Sequence, residues 1–195
     1  MTAILWSAPG RSTMYGLVNR AIEQLVIAHR GEDGWARVCK KADWSDEGFV
    51  AMQTYDDAVT YRLVGAVSEE LGLHASEVLK AFGEYWILYT AEEGYGAMLS
   101  MCGNNIKDFL TGMNQMHARI AVTMPNIRPP HFTIKEVGEN ELNLIYESDR
   151  DGLAPMVEGL ISGLAKRFGQ RISIELIQAK SREAPKDVFR ILILD

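Results

Sequence analysis

His117 stands in a stripe of apolar residues, Ile106, Leu110, Met113, His117 and Ile120, that recur at spacings of three and four, the pattern of one helix face. A histidine in that position is more often a core residue with its ring nitrogens satisfied. The same position also suits ligation, because neutral imidazole is a common axial ligand to iron in a porphyrin, and an apolar wall suits a mostly apolar ring. Further on, Tyr146, Ser148 and Arg150 lie two apart, so in an extended strand they project from one face, which Leu142 and Leu144 share. An apolar run leading into two hydroxyls and a guanidinium fits a molecule with a greasy body and carboxylate ends, since arginine grips carboxylates bidentately and stays charged when partly buried. The competing reading is the solvated face of a half-buried strand.

The elements that must position these residues follow from periodicity. Leu17, Val18, Ala21, Ile22, Leu25 and Ala28 predict a helix over Tyr15 to Arg30, and a short second helix is expected from Trp35 to Lys41. Val59, Leu63 and Val67 predict a helix from Asp56 to Leu71, with Asp56 or Asp57 as N-cap and Gly72 as stop. Val78, Leu79, Phe82 and Trp86 share a face of the next, Ala75 to Thr90, until Gly94 and Gly96 interrupt it. The His117 helix spans Ile106 to Val122 and is closed by Pro125, Pro129 and Pro130. Phe132 to Val137 and Glu141 to Arg150 alternate as an antiparallel hairpin around Gly138-Glu139-Asn140. A helix over Leu153 to Phe168 and two strands through Ile172 to Leu176 and Phe189 to Ile193 complete the chain. The expected class is α+β: a mostly helical amino-terminal half packed on a carboxy-terminal antiparallel sheet with at least one helix, the two closing on a concave interface suited to a cofactor.

Length and charge narrow the function. The 195 residues carry 20 basic and 26 acidic side chains, a formal charge of −6, which argues against a phosphate-tracking groove and hence against nucleic acid. Cys39 and Cys102 lack zinc-ligand spacing and are expected to be thiols in a reducing, cytoplasmic setting. The apolar cluster Ala3 to Trp6 is too short for a signal peptide or a membrane span, so residues 1–13 read as an extension before a single domain over 14–195, or as the trace of a start at Met14. His29, His74 and His131 fall near helix ends or a strand start and are expected at the surface. No nucleophile elbow, phosphate-binding glycine loop or paired carboxylates is visible, which leaves no catalytic residue to name.

Tyr146-Glu-Ser-Asp-Arg150 resembles the Tyr-x-Ser-x-Arg signature of the heme nitric oxide/oxygen binding (H-NOX) domains. Met14-Tyr-Gly-Leu-Val-Asn19, Ala81-Phe-Gly-Glu-Tyr-Trp86, Glu93-Gly-Tyr95, Met113-Asn-Gln-Met-His117, Arg128-Pro-Pro130 and Gly152-Leu-Ala-Pro-Met156 are similar to further segments of that family. The likeness is to its stand-alone cyanobacterial members and to the heme domain of soluble guanylate cyclase. It implies heme b, iron protoporphyrin IX, bound between the two halves. His117 is then the iron ligand, Tyr146, Ser148 and Arg150 hold the propionates, and Pro130 presses on the porphyrin. The family's aspartate and leucine before the ligand are replaced by Asn114 and Met116, and residues 1–13 have no counterpart.

Oxygen-binding members of the family carry a tyrosine where this chain has Met156, and Val18 and Trp86 are expected to line the same distal wall. With the Trp86 indole as its one donor, that wall favours nitric oxide, admits carbon monoxide and holds oxygen poorly. The resemblance further implies that nitric oxide weakens the bond to His117 and that a separate signalling protein, such as a histidine kinase or diguanylate cyclase, reads the change. The alternatives are a heme enzyme turning over nitric oxide or peroxide, which a wall without a proton-shuttling group disfavours, and a heme carrier.

Overall fold

A computed structural model describes residues 13–45, 48–90, 96–123 and 128–194. The chain divides into two compact units, Met1–Leu71 and Gly72–Asp195. The division falls after the second helix, so the later helices belong with the sheet. Glu93-Gly94-Tyr95, Pro125 and nearly all of the 1–13 extension lie outside the described residues.

In the first unit, β1 (Thr13–Tyr15) pairs antiparallel with β2 (Thr54–Asp56), and two helices follow them, α1 (Gly16–Ala42) and α2 (Asp57–Leu71). The two helices expected before residue 42 are one kinked element: Gly31, at φ 68°, leaves helical geometry between two helical stretches, a conformation open to glycine without a Cβ penalty. Its first N–H groups, orphaned by helix geometry, are taken up by the loop before β2, with Gly16 N on Gln53 O at 2.8 Å and Leu17 N on Ala51 O at 3.0 Å. Asp56 caps α2 by accepting from Ala58 N at 2.8 Å. Ile22, Val26, Val38, Leu63 and Val67 fill the core, beside a ring cluster in which Trp44 stacks on Phe49 at 4.8 Å. Glu70 ties the helices together, receiving Arg37 at 2.6 Å and Lys41 at 2.8 Å.

The second unit holds α3 (Ala75–Thr90), α4 (Gly96–Ser100), α5 (Ile106–Thr123), β3 (His131–Gly138), β4 (Glu141–Glu147), α6 (Ala154–Phe168), β5 (Ile172–Gln178) and β6 (Asp187–Ile193). Its sheet is antiparallel in the order β3-β4-β6-β5. One face is buried, because Leu142, Leu144 and Tyr146 alternate along β4 and lie opposite Ile191, Phe189 and Asp187 of β6. The mixed helical and antiparallel class expected from the sequence is therefore the one observed, while α4 and the short β1–β2 pair were not foreseen. Gly96, taken as a helix breaker, begins α4. Asn105 starts α5 by accepting from Asp108 N at 2.9 Å, as its Nδ2 donates to Asp108 Oδ2 at 2.8 Å. Among the described residues no helix is long and apolar enough to cross a membrane.

Helices α3 and α6 touch through glycine. A Cβ on Gly159 would stand 2.0 Å from Lys80 O, and one on Gly83 2.1 Å from Met156 O, so backbone meets backbone where any side chain would wedge the pair apart. Gly159→Ala is expected to cost about 1–3 kcal/mol by overpacking. Gly65→Ala, in α2 with nothing near its added methyl, is expected to stabilise by roughly 0.5–1 kcal/mol through helix propensity. Urea unfolding of both variants measures the contrast. Hydrogen bonds from Lys41 and Arg37 hold the Glu70 carboxyl below its ordinary pKa. Its contribution is thus present above the unfolded value of about 4.3 and lost as pH falls through the lower folded value. Glu70→Gln should accordingly be less stable than the parent at pH 7 and converge with it in acid, as followed by thermal melts across pH.

Candidate functional site

The α5 stripe fades in burial along its length, with Ile106, Leu110 and Met113 buried and His117 and Ile120 half-buried. One turn before His117, Asn114 straps the helix to the start of β3. Its Oδ1 accepts from Phe132 N at 3.0 Å and its Nδ2 donates to Phe132 O at 2.6 Å. Both backbone groups of one residue are thereby satisfied by one amide. The strap brings the Phe132 ring to 6.1 Å from the imidazole and the Pro130 carbonyl to 3.2 Å from His117 Nδ1.

That carbonyl has no proton, so Nδ1 must donate, and the tautomer leaves its lone pair on Nε2. Burial pushes the imidazole pKa below its usual value, and the bond to Pro130 offsets this only in part, so the ring is neutral at pH 7. A neutral imidazole oriented by a backbone acceptor on the far nitrogen is what a metal ligand requires.

Phe132 continues to the second group of residues. It lies opposite Tyr146 in the ladder, with ring centroids 5.5 Å apart, and Tyr146 is buried among sheet side chains. Burial raises the Tyr146 pKa, and the Ser148 side chain beside it and the Arg150 charge pull it down in smaller measure. Ser148 and Arg150 are not on the strand, contrary to the strand expected to run to Arg150: β4 ends at Glu147. The ladder to β6 stops at Tyr146 opposite Asp187 and that to β3 at Glu147 opposite His131, so nothing holds the chain extended beyond. It turns instead, with Arg150 N donating to Ser148 Oγ at 3.1 Å. The three residues are gathered by a strand end and a turn rather than by a common sheet face.

Lys180 shapes that turn, and nothing in the sequence singled it out. Its Nζ reaches Ser148 O at 2.6 Å, Arg150 O at 3.3 Å and Asp151 Oδ1 at 2.7 Å, while its backbone N donates to the buried Asp187 at 2.7 Å. No local spacing links residue 180 to residues 148–151; only the pairing of β4, β6 and β5 does. Arg150 in turn donates through Nη1 to Arg128 O at 3.0 Å. The segment from Arg128 to Pro130 is therefore held by Arg150 at one end and by His117 at the other.

The remaining predicted residues are more scattered. Trp86 is half-buried on α3, its ring 6.0 Å from Phe82, and Met156 is half-buried in the first turn of α6, its carbonyl against Gly83. Val18 is half-buried on α1 of the first unit. His29, His74 and His131 are exposed. Among the described residues, no group of three or more His, Cys, Asp or Glu is placed to hold a metal.

Residues 15–176 match the family model described as haem-NO-binding. The chain belongs to this family. It is an H-NOX domain, a heme-binding gas-sensor module related to soluble guanylate cyclase. The soluble guanylate cyclase gcy-32 of Caenorhabditis elegans is 32% identical over 157 residues, covering 79% of this chain and 23% of that protein. The gcy-34 protein of the same organism is 31% identical over 175 residues, covering 88% and 25%. The chain thus spans about a quarter of the length of these curated relatives. Among solved structures, an H-NOX protein from S. oneidensis in the Fe(II)NO ligation state has the same fold, with a TM-score of 0.82 at 22% identity over 93% of this chain and 100% of that one. A point mutant of T. tengcongensis H-NOX gives 0.81 at 23% identity over 93% and 98%.

The strap depends on the chemistry of the Asn114 amide, which both donates and accepts, where a carboxylate only accepts. Asn114→Ala removes both bonds and leaves two partly buried backbone groups unsatisfied. A loss of about 2–4 kcal/mol is expected in urea unfolding, and Asn114→Asp should recover only part of it.

Proposed function

We propose that His117, through Nε2, is the single protein ligand to heme b iron in a domain that senses nitric oxide. The observation that supports this reading is the His117–Pro130 hydrogen bond, which leaves a neutral imidazole with its ligating nitrogen unprotonated. The residues fit the group at its other end as well: Tyr146 and Ser148 offer hydroxyls and Arg150 a guanidinium of five donors, suited to the propionates. Pro130, whose carbonyl orients the ligand, is also the ring that presses on the porphyrin. Bound heme would supply a ferrous iron able to take nitric oxide or carbon monoxide, with His117 as its protein ligand.

Trp86 and Met156, both of the second unit, are assigned to the gas side in this reading. Methionine offers no hydrogen bond to the partial charge of bound oxygen, which disfavours oxygen relative to nitric oxide. Because His117 is tied to Pro130, a displacement of its ring would pass to the segment from Arg128 to Pro130 and, through Asn114, to β3. A separate signalling protein, of the histidine kinase or diguanylate cyclase kind, reads that displacement. Cys39 and Cys102 are buried thiols, which suits the cytoplasm. Neither nucleic acid nor a membrane is a partner in this reading.

The absorption spectrum of the purified ferrous protein tests it. Heme should co-purify, remain unchanged in air, and shift with nitric oxide to the spectrum of an iron that has lost its histidine. His117→Gly should abolish the native ligation. A colourless protein, or a spectrum that His117→Gly leaves untouched, would overturn the assignment; a stable oxygen complex would overturn the gas preference alone.

A further inference from the structure

Four sulfur-bearing side chains line a recess that the proposed heme ligands do not share. Met98 of α4, Met101 and Cys102 in the turn after it, and Met116 of α5 line one recess of about 70 Å³. Cys102 Sγ lies 3.8 Å from Met116 Sδ and 3.7 Å from the Met98 carbonyl. The approach depends on Gly112, where a Cβ would stand 2.3 Å from Cys102 O. Cys102 is buried, and Met101, which also lines the recess, is 69% exposed. In the sequence these are Met98-x-x-Met101-Cys102 and, 14 residues after the cysteine, Met116.

The spacing has chemical content. A bond from a d10 metal to thiolate sulfur is about 2.3 Å, so two sulfurs sharing one metal at tetrahedral to trigonal angles stand roughly 3.8–4.0 Å apart. Cys102 and Met116 already have that separation. Thiolate with thioether is a soft donor set, which selects monovalent copper over the harder divalent ions. Zinc sites are built from Cys, His and carboxylates, and no such group of three is present among the described residues. The Arg119 guanidinium on the rim of the recess adds a discrimination by charge, because it repels a divalent ion more than a monovalent one balanced by a thiolate.

We infer that Cys102 and Met116, completed by Met98 and Met101, form a binding site for a soft monovalent metal ion, copper(I) being its biological representative. Binding joins the metal to Sγ and releases the thiol proton to solvent, with no change of oxidation state. Burial pushes the Cys102 thiol up, more than the charges of Arg119 and Arg167 pull it down, so the unoccupied thiol stays protonated and is slow to oxidise. The site uses neither His117 nor the residues from Tyr146 to Arg150, so it stands or falls separately from the heme reading.

The test is a titration of the full chain with copper(I), under a reductant, in competition with the chromophoric chelator bicinchoninate. One equivalent should be withdrawn from the chelator. Disturbing an outer partner of a metal ligand costs roughly 10–100-fold in affinity, so Cys102→Ser is expected to lose more than that and Met116→Leu about as much. Cys39→Ser, at the other buried thiol, should keep the parental affinity. Because Cys102→Ser alters a buried position, the combined Met98→Leu, Met101→Leu and Met116→Leu variant, which conserves volume, decides the matter if the serine variant does not fold. X-ray absorption at the copper edge should show sulfur neighbours. No withdrawal of copper from the chelator, retained affinity in the combined methionine variant, or a nitrogen shell from imidazole would each overturn the inference.

Discussion

The hydrogen bond from His117 Nδ1 to the Pro130 carbonyl is the constraint around which the second unit is arranged. It fixes the tautomer of a partly buried imidazole, and an imidazole whose protonation is set by the backbone presents the same nitrogen outward whatever the solvent does. The bond needs its acceptor held in place. Asn114 does so two residues along by pairing with both backbone groups of Phe132, and Arg150 does so two residues back by donating to Arg128 O. Proline at 129 and 130 contributes stiffness, since its fixed φ limits the ways the segment can yield.

The sheet supplies the second anchor. Phe132, Tyr146 and Asp187 form one row across β3, β4 and β6, and the row links the ring beside His117 to the buried carboxylate that receives the Lys180 backbone. Lys180 then folds back on the carbonyls of Ser148 and Arg150. A turn that would otherwise be a mobile strand end becomes a preorganised cradle for Tyr146, Ser148 and Arg150.

The glycine contacts between α3 and α6 bring the two backbones together, the edges of the pair being held by the Lys80–Glu158 and Lys166–Glu84 ion pairs. The first unit has instead the ring cluster of Trp44, Phe49 and Tyr55. The sulfur recess flanks α5 one residue before His117, so an ion bound there would brace the same helix that the Pro130 segment holds.

Much of this was legible before any coordinates. Helical periodicity placed α2, α3, α5 and α6 within a residue or two of their observed ends, because apolar stripes such as Val59, Leu63 and Val67 are bounded by local signals, here Asp56 before α2 and Gly72 after it. The family was legible too, since its motifs are local strings. Three things were not. A spacing of two at Tyr146, Ser148 and Arg150 looks the same whether the chain is extended or turning, and the end of the neighbouring strands decided it. Lys180 became part of the cradle only through the β4-β6-β5 order, which a sequence does not display. The tautomer of His117 was set by a carbonyl, and every residue has one. Side-chain chemistry is written in the sequence; which backbone groups it meets is a product of tertiary structure.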